Sequence, residues 1–518
     1  MNNVENQLNL RHELKKHFGY DAFRKGQREI IEDVMRGENV LGILPTGSGK
    51  SICYQLPAKL LDGVTIVVSP LISLMIDQVK HLKAMNFKQV VAINSFMNRS
   101  ERYTVWNQLH TYKLIYLSPE LLQQDKLQRK LRQLQISLFV IDEAHCISQW
   151  GHEFRPDYLK LSQSIESYGN PPVLALSATA TPKVQEDIIE ALGRKGTIKH
   201  VHDMDRDNIA FYIQHVNDDS EKLDTMARLF KRYRVPTLIY FSSRRVVEDV
   251  AHELSNKLSY QIAVYHGGME QHDRVTIQQQ FMNNQLDIVC CTSAFGMGIN
   301  KSNIRLVIHY HMPPQMEAFI QEVGRAGRDG EQSISLLLFS IKDIHLPKNI
   351  IKKELPLESD ITSVFKRLFT LFSSNQSLPE QMDERAGIFQ MNEVQWRFMQ
   401  YQLEKHGIIK KNRIFYDQRN WQRALHKIIE HRNSRTHLKE QKLTKMIHWI
   451  QQKACFRKHL YQEFQTSYAT PTSLCCSNCG FSWDEWNPVQ TTIKRTEPKT
   501  WREKLQEKLL HGDIHETT

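Results

Sequence analysis

The chain has 518 residues, 41% hydrophobic and 24% charged, with a formal charge of +11 from 68 Lys and Arg against 57 Asp and Glu. At roughly 100 to 200 residues per domain, that length exceeds one core and implies three or four units. No run approaches the ~18 consecutive apolar residues of a membrane span, and Met1-Asn2-Asn3-Val4-Glu5-Asn6 opens no signal peptide, so a cytoplasmic protein with no membrane partner is expected.

Between residues 37 and 180 short apolar runs alternate with longer polar, helix-like segments. Residues 65–70, 114–119, 138–142 and 173–177 each read as a strand with buried faces, which predicts a parallel sheet covered by helices within residues 1–205. Leu44-Pro45-Thr46-Gly47-Ser48-Gly49-Lys50-Ser51 matches the phosphate-loop pattern, except that Leu44 replaces the first glycine. The backbone from Thr46 to Gly49 can curl around a β-phosphate, Lys50 can neutralise the β- and γ-phosphates, and Ser51 can ligate Mg²⁺. Asp142-Glu143-Ala144-His145 ends the apolar run 138–141. Two acids there are costly unless a cation or a reaction employs them; Asp142 suits Mg²⁺ and Glu143 suits activation of a water.

A second series of apolar runs, at residues 237–241, 262–266, 287–291, 305–309 and 335–339, predicts another α/β domain over 206–345, with a polar join near 200–210. Within it, Gln321-Glu322-Val323-Gly324-Arg325-Ala326-Gly327-Arg328-Asp329-Gly330 places two arginines three apart, expected on one helical face. Arg325 and Arg328 suit a γ-phosphate presented by the first domain. Arginine fingers of that kind commonly contribute on the order of 10³ to 10⁵ in rate, so hydrolysis would require both domains to close.

After residue 345 the period becomes helical. Segments 361–373 and 394–406 carry helix-spaced apolar residues, and 408–415 reads as a basic hairpin, which together suggest a winged helix over 346–425. Residues 405–458 hold 15 Lys and Arg against three acids, 15 − 3 = +12, which suits a polyanion such as nucleic acid or, equally, a solvated helical face. Cys455, Cys475, Cys476 and Cys479 could supply four thiolates to a tetrahedral Zn²⁺ in a helical subdomain, 426–485, with His459 in reserve; ordinary buried thiols are the alternative. Cys53, Cys146, Cys290 and Cys291 are assigned to the α/β cores. The last forty residues, with Trp483, Trp486 and Trp501, read as polar, and 486–518 as a tail.

With these motifs in place the sequence resembles the superfamily-two helicases, and within them the RecQ family of DNA helicases. Phe18-Gly19-Tyr20-Asp21-Ala22-Phe23-Arg24-Lys25-Gly26-Gln27 resembles that family's adenine-recognition motif, with Lys25 where proline is usual. The match implies that Tyr20 and Arg24 pack on the base while Gln27 reads its edge. Ser177-Ala178-Thr179 resembles the motif coupling hydrolysis to strand movement, and residues 146–158 resemble the family's aromatic-rich loop. From the residues alone, Trp150, His152, Phe154, Arg155 and Tyr158 could stack on splayed bases or form an aromatic core cluster. Tyr265-His266-Gly267-Gly268 and residues 294–301 are further matches, with Asn300 where aspartate is usual. Beyond residue 340 the likeness thins: Ser482 stands where the last zinc cysteine would fall, and the winged segment precedes the cysteines, opposite to the usual order. The expected fold is α/β, two tandem RecA-like parallel-sheet domains followed by a mainly helical C-terminal region with a winged helix and a zinc site. The resemblance implies a DNA-stimulated ATPase using ATP and Mg²⁺. It would unwind duplex or forked DNA from single strands, 3′ to 5′, in repair or recombination. An RNA helicase and an ATP-switched clamp are the rivals. The aromatic loop speaks against the first, and Glu143 with Arg325 and Arg328 against the second.

Overall fold

In the computed structural model, residues 9–94, 96–148, 155–295, 301–379, 381–410, 412–465, 471 and 474–490 are described. The first domain is a seven-stranded sheet of β1 (Val40–Ile43), β2 (Val64–Val68), β3 (Val90–Ile93), β4 (Leu114–Leu117), β5 (Ile136–Ile141), β6 (Val173–Ser177) and β7 (Ile198–Val201). Its order is β3-β4-β2-β5-β6-β1-β7, and every pairing is parallel. Runs such as Val64–Val68 and Val173–Ser177 are buried on both faces because helices cover the sheet on each side, which is why they read as continuous apolar segments. The order sets β6 between β5 and β1. The acids after β5, Ser177 at the end of β6 and the loop after β1 therefore share one edge, the carboxyl edge where ligands bind in such sheets.

Residues 202–208 lead into a second parallel sheet, built from β8 (Ile209–His215), β9 (Thr237–Tyr240), β10 (Ile262–Tyr265), β11 (Ile288–Cys291), β12 (Leu306–His309) and β13 (Ser333–Phe339) in the order β10-β11-β9-β12-β13-β8. Cys53, Cys146, Cys290 and Cys291 are buried in these two domains.

The C-terminal region contains helices His345–Glu354, Glu358–Ser373, Met382–Ile388 and Glu393–Lys405, a hairpin of β14 (Ile409–Lys410) and β15 (Arg413–Ile414), and the 34-residue helix Gln418–Gln451. Trp396, Leu403, Ile408, Trp421 and Ile428 belong to a core of their own. The expected boundary at 425 instead falls inside one continuous helix: its first half closes that core, while Leu443, Met446, Trp449 and Ile450 enter the core of the two sheet domains. The cysteine segment is also continuous with the second domain. Phe211 N–H donates to the Cys475 carbonyl at 3.1 Å, and Phe211 forms a parallel bridge with Cys476 beside β8. Trp486 does not begin a loose tail but is buried, its ring 4.8 Å from Tyr233, with Trp483 against Tyr212 at 5.4 Å. Among the described residues no helix is long and apolar enough to cross a membrane.

Candidate nucleotide and DNA site

The phosphate loop follows β1. Gly47 (φ 81°) and Gly49 (φ 76°) occupy left-handed backbone that a side chain would strain, and the curl leads into helix Ile52–Leu60. Leu44, in place of the usual glycine, is buried, and its side chain takes the space beside Gly26, where an added Cβ would come within 2.7 Å of it. Gln27 is buried beneath the loop. Its Nε2 donates to the Ser48 and Gly49 carbonyls at 2.8 and 3.0 Å, and its Oε1 accepts from Arg24 N–H at 2.9 Å. Gln27 thus latches the loop through its amide nitrogen, while its Oε1 keeps a second lone pair for the edge-reading role implied by resemblance. Arg24 donates to the Gly47 carbonyl at 2.6 Å, while Tyr20 is exposed nearby in sequence.

At the end of β5, burial first and then Glu143 raise the Asp142 carboxyl to about 7, against the opposing pull of Lys50. A carboxylate held up in this way, on the same edge as Ser51, fits a hard divalent cation, whose charge would reverse that shift. Glu143 has φ 50°, its N–H donates to Asp142 Oδ1 at 3.0 Å, and its Oε2 is buried without a hydrogen bond among the described residues. His145 Nδ1 lies 3.0 Å from Ser177 Oγ and 3.4 Å from Glu143 Oε2; Ser177 Oγ accepts from Thr179 N–H at 3.3 Å. The acids and the Ser177-Ala178-Thr179 segment are thereby joined through one imidazole.

Of the aromatic loop, Trp150, His152 and Phe154 lie outside the described residues. Arg155 pins the loop's far root, donating to the Pro70 carbonyl at 3.1 Å, with its N–H on the Cys146 carbonyl. Tyr158 is buried and donates to the Asp142 carbonyl at 3.2 Å, so it is a core tether rather than a stacking surface.

The two arginines are not on a helical face. Helix Met316–Val323 ends before Gly324, and Arg325 and Arg328 sit in the turns that follow. This turn meets the phosphate loop directly: a Cβ on Gly324 would overlap Thr46 Oγ1, and one on Gly47 would come 2.9 Å from Arg328 Cγ. Burial, Arg325, Arg206 and Arg24 together pull the Arg328 guanidinium down to about 9. Arg325 is buried with an Nε lacking a hydrogen bond among the described residues. Crowded, desolvated cations against a glycine loop form a deficit that a polyphosphate fills.

The ligand atoms of Cys455, Cys475, Cys476 and Cys479 lie within 4.8 Å of one another, and the Cys455 and Cys475 sulfurs are 3.7 Å apart. That spacing fits the edge of a tetrahedron of ~2.3 Å Zn–S bonds. His459 is not among these ligand atoms and directs Nδ1 to the Cys455 carbonyl at 3.1 Å. Ser482, in place of a cysteine, caps the Asp484 N–H at 3.4 Å.

Two family models match: the DEAD/DEAH box helicase over residues 24–188 and the helicase conserved C-terminal domain over 221–330. The chain is 40% identical to the probable ATP-dependent DNA helicase RecS of Bacillus subtilis (strain 168), across 96% of this chain and 97% of that protein. The chain belongs to the RecQ/RecS family of helicases. Against the ATP-dependent DNA helicase RecQ of Haemophilus influenzae, identity is 41% over 64% of this chain, and the match spans 53%, about half, of that relative. The Lhr helicase of Mycobacterium smegmatis, solved with single-stranded DNA and AMP-PNP, shares the fold at TM-score 0.54 and 17% identity, covering 80% of this chain and 61% of that one. The near end-to-end match to a RecS-type relative accommodates the helical unit that precedes the cysteines in this RecQ-family chain.

Proposed function

We propose that this chain is an ATP-driven motor that moves 3′ to 5′ along single-stranded DNA and opens duplex or forked DNA, in repair or recombination. The observation that carries this reading is the contact of Gly324 and Arg328 with Thr46 and Gly47, which makes the nucleotide site a property of both domains. In this reading the loop N–H groups and Lys50 bind the triphosphate, and Tyr20 and Arg24 flank the base. Ser51 and Asp142 would hold Mg²⁺, which would supply neutralisation of phosphate charge. Glu143 orients the attacking water and takes its proton, and Arg325 and Arg328 meet the charge that spreads over the equatorial oxygens. Loss of the γ-phosphate weakens the attraction between the domains, and the reopening moves the strand. The His145–Ser177–Thr179 contacts and the loop carrying Trp150, His152, Phe154 and Arg155 link DNA occupancy to the acids. The four thiols hold a structural Zn²⁺. The location proposed is the cytoplasm, with the DNA, under conditions that keep those thiols reduced.

The test compares ATP hydrolysis with no nucleic acid, single-stranded DNA and RNA, and strand displacement from 3′- and 5′-tailed duplexes. Stimulation by DNA and opening of the 3′-tailed duplex are expected. Stimulation by RNA alone, or by neither, overturns the substrate assignment, and preference for the 5′ tail overturns the polarity.

A further inference from the structure

The turn that carries the two arginines begins where a helix ends, so its carbonyls have no helical partners. Two side chains from the interdomain linker supply partners, beside the Gly330 N–H, from which the Gly327 carbonyl accepts at 3.0 Å. Arg206 Nη1 donates to the Gly324 carbonyl at 3.2 Å and to the Ala326 carbonyl at 2.8 Å, and its Nη2 donates to the Gly327 carbonyl. Asn208 Nδ2 adds bonds to Gly327 and Glu331 carbonyls, both at 2.8 Å. Gly327, at φ 52°, leaves no room for a side chain, since a Cβ would come 2.5 Å from Asn208 Nδ2. These carbonyls immediately flank Arg325 and Arg328.

The linker is in turn held from the cysteine side. Gln465 Oε1 accepts from the Met204 and Asp205 N–H groups at 2.9 and 3.2 Å. Arg457, fully buried, pairs with Asp205, donates to the Arg206 carbonyl at 3.1 Å and to the Ile209 carbonyl, and lies over the Phe211 ring at 4.9 Å. It follows Cys455 by two residues and hydrogen-bonds Cys475.

We infer that Arg206 is a positioning residue for the arginine turn, and that Arg457 sets Arg206, so that the cysteine segment governs the rate of ATP hydrolysis without touching ATP. The inference rests on the reading of Arg325 and Arg328 as the groups that meet the γ-phosphate. A misplacement of about 1 Å in such a group costs on the order of 10²-fold in rate.

The experiment measures DNA-stimulated ATPase for Arg206→Ala, Arg206→Lys, Arg325→Ala and the double variant Arg206→Ala/Arg325→Ala in the full chain, with nucleotide affinity and melting temperature for each. Arg206→Ala is expected to lower kcat on the order of ten- to a hundredfold with KM for ATP within about threefold, and Arg206→Lys to recover little, because an ammonium cannot span three carbonyls. The double variant should be no slower than Arg325→Ala, since residues acting as one unit are not additive. Arg457→Lys should reproduce the kcat loss with intact nucleotide affinity. A wild-type kcat in Arg206→Ala while Arg325→Ala is slow overturns the positioning role alone. A wild-type rate in Arg325→Ala overturns the underlying finger reading. Multiplied losses in the double variant, or parallel loss of melting temperature and nucleotide affinity in both Arg206 variants, assign Arg206 an independent or merely structural role and overturn the inference.

Discussion

Glu143 is held in backbone space that few residues with side chains adopt, at φ 50°. Its N–H bond to Asp142 accompanies that conformation, and one carboxylate oxygen is buried 3.4 Å from His145 Nδ1 with no hydrogen bond among the described residues. Glu143→Gln keeps the shape and removes the proton acceptor. Phosphate release is expected to slow by about 10² to 10⁴-fold while binding of Mg·ATP persists; collapse of affinity in a fluorescent-nucleotide titration would make Glu143 a binding group instead. Gln27 acts on the loop rather than on the water. Its amide holds two phosphate-loop carbonyls, so Gln27→Ala should loosen the loop and weaken nucleotide binding by about 1 to 2 kcal/mol, at roughly 1 kcal/mol per hydrogen bond. If the loop is the target, ATP and GTP affinities fall together. A loss confined to ATP would show that Gln27 reads the base.

At the scale of elements, the cysteine segment bridges to the edge strand β8 at Phe211 while it gathers four thiols. Cys479→Ser is expected to lower zinc from about one per chain toward none by elemental analysis and to lower the melting temperature, because metal binding at such a site is folding free energy. Nucleotide affinity should persist while turnover falls, through Arg457 and the linker. Zinc-free wild-type protein, purified under reduction, would reject the metal. What the sequence disclosed follows from the physics of each element. Strands buried on both faces read as apolar runs, and a phosphate loop demands glycines at fixed spacing. Arg325 and Arg328 were legible as a pair but not as a turn, because spacing of three fits a helix and Gly324 and Gly327 only hint at its end. Tyr158 stays open in the sequence between stacking and core, and Trp486 reads as the start of a tail, because an aromatic residue in a polar stretch gives no sign of which partner covers it. Arg206 was invisible, since its partners lie more than a hundred residues away in the chain.

Across the whole molecule, the basic stretch 405–458 contains two kinds of cation that net charge cannot separate. Lys439 pairs with Glu354, Lys442 with Glu317 at 2.7 Å, and Arg457 with Asp205, ties that fasten the long helix and the cysteine segment to the rest of the chain. Lys405, Lys410, Arg413, Arg419, Arg423 and Lys427 are exposed instead, beside exposed Phe415 and Tyr416. Exposed groups of this kind, unlike the partly buried and paired Lys439 and Lys442 or the buried Arg457, can release counterions from a phosphate backbone. Replacing Arg413, Arg419 and Arg423 by Gln should therefore weaken DNA binding and flatten its dependence on log salt by about 2 to 3 units, at roughly 0.7 to 0.9 for each phosphate no longer neutralised. Replacing Lys439 and Lys442 by Gln should leave that slope unchanged and lower the melting temperature, because each change strands a partly buried carboxylate. Binding isotherms over a salt series, paired with thermal melts, distinguish the two. An unchanged slope in the arginine triple variant would remove this surface from the DNA path, and a flattened slope in the lysine pair would show that the internal ties open when DNA binds.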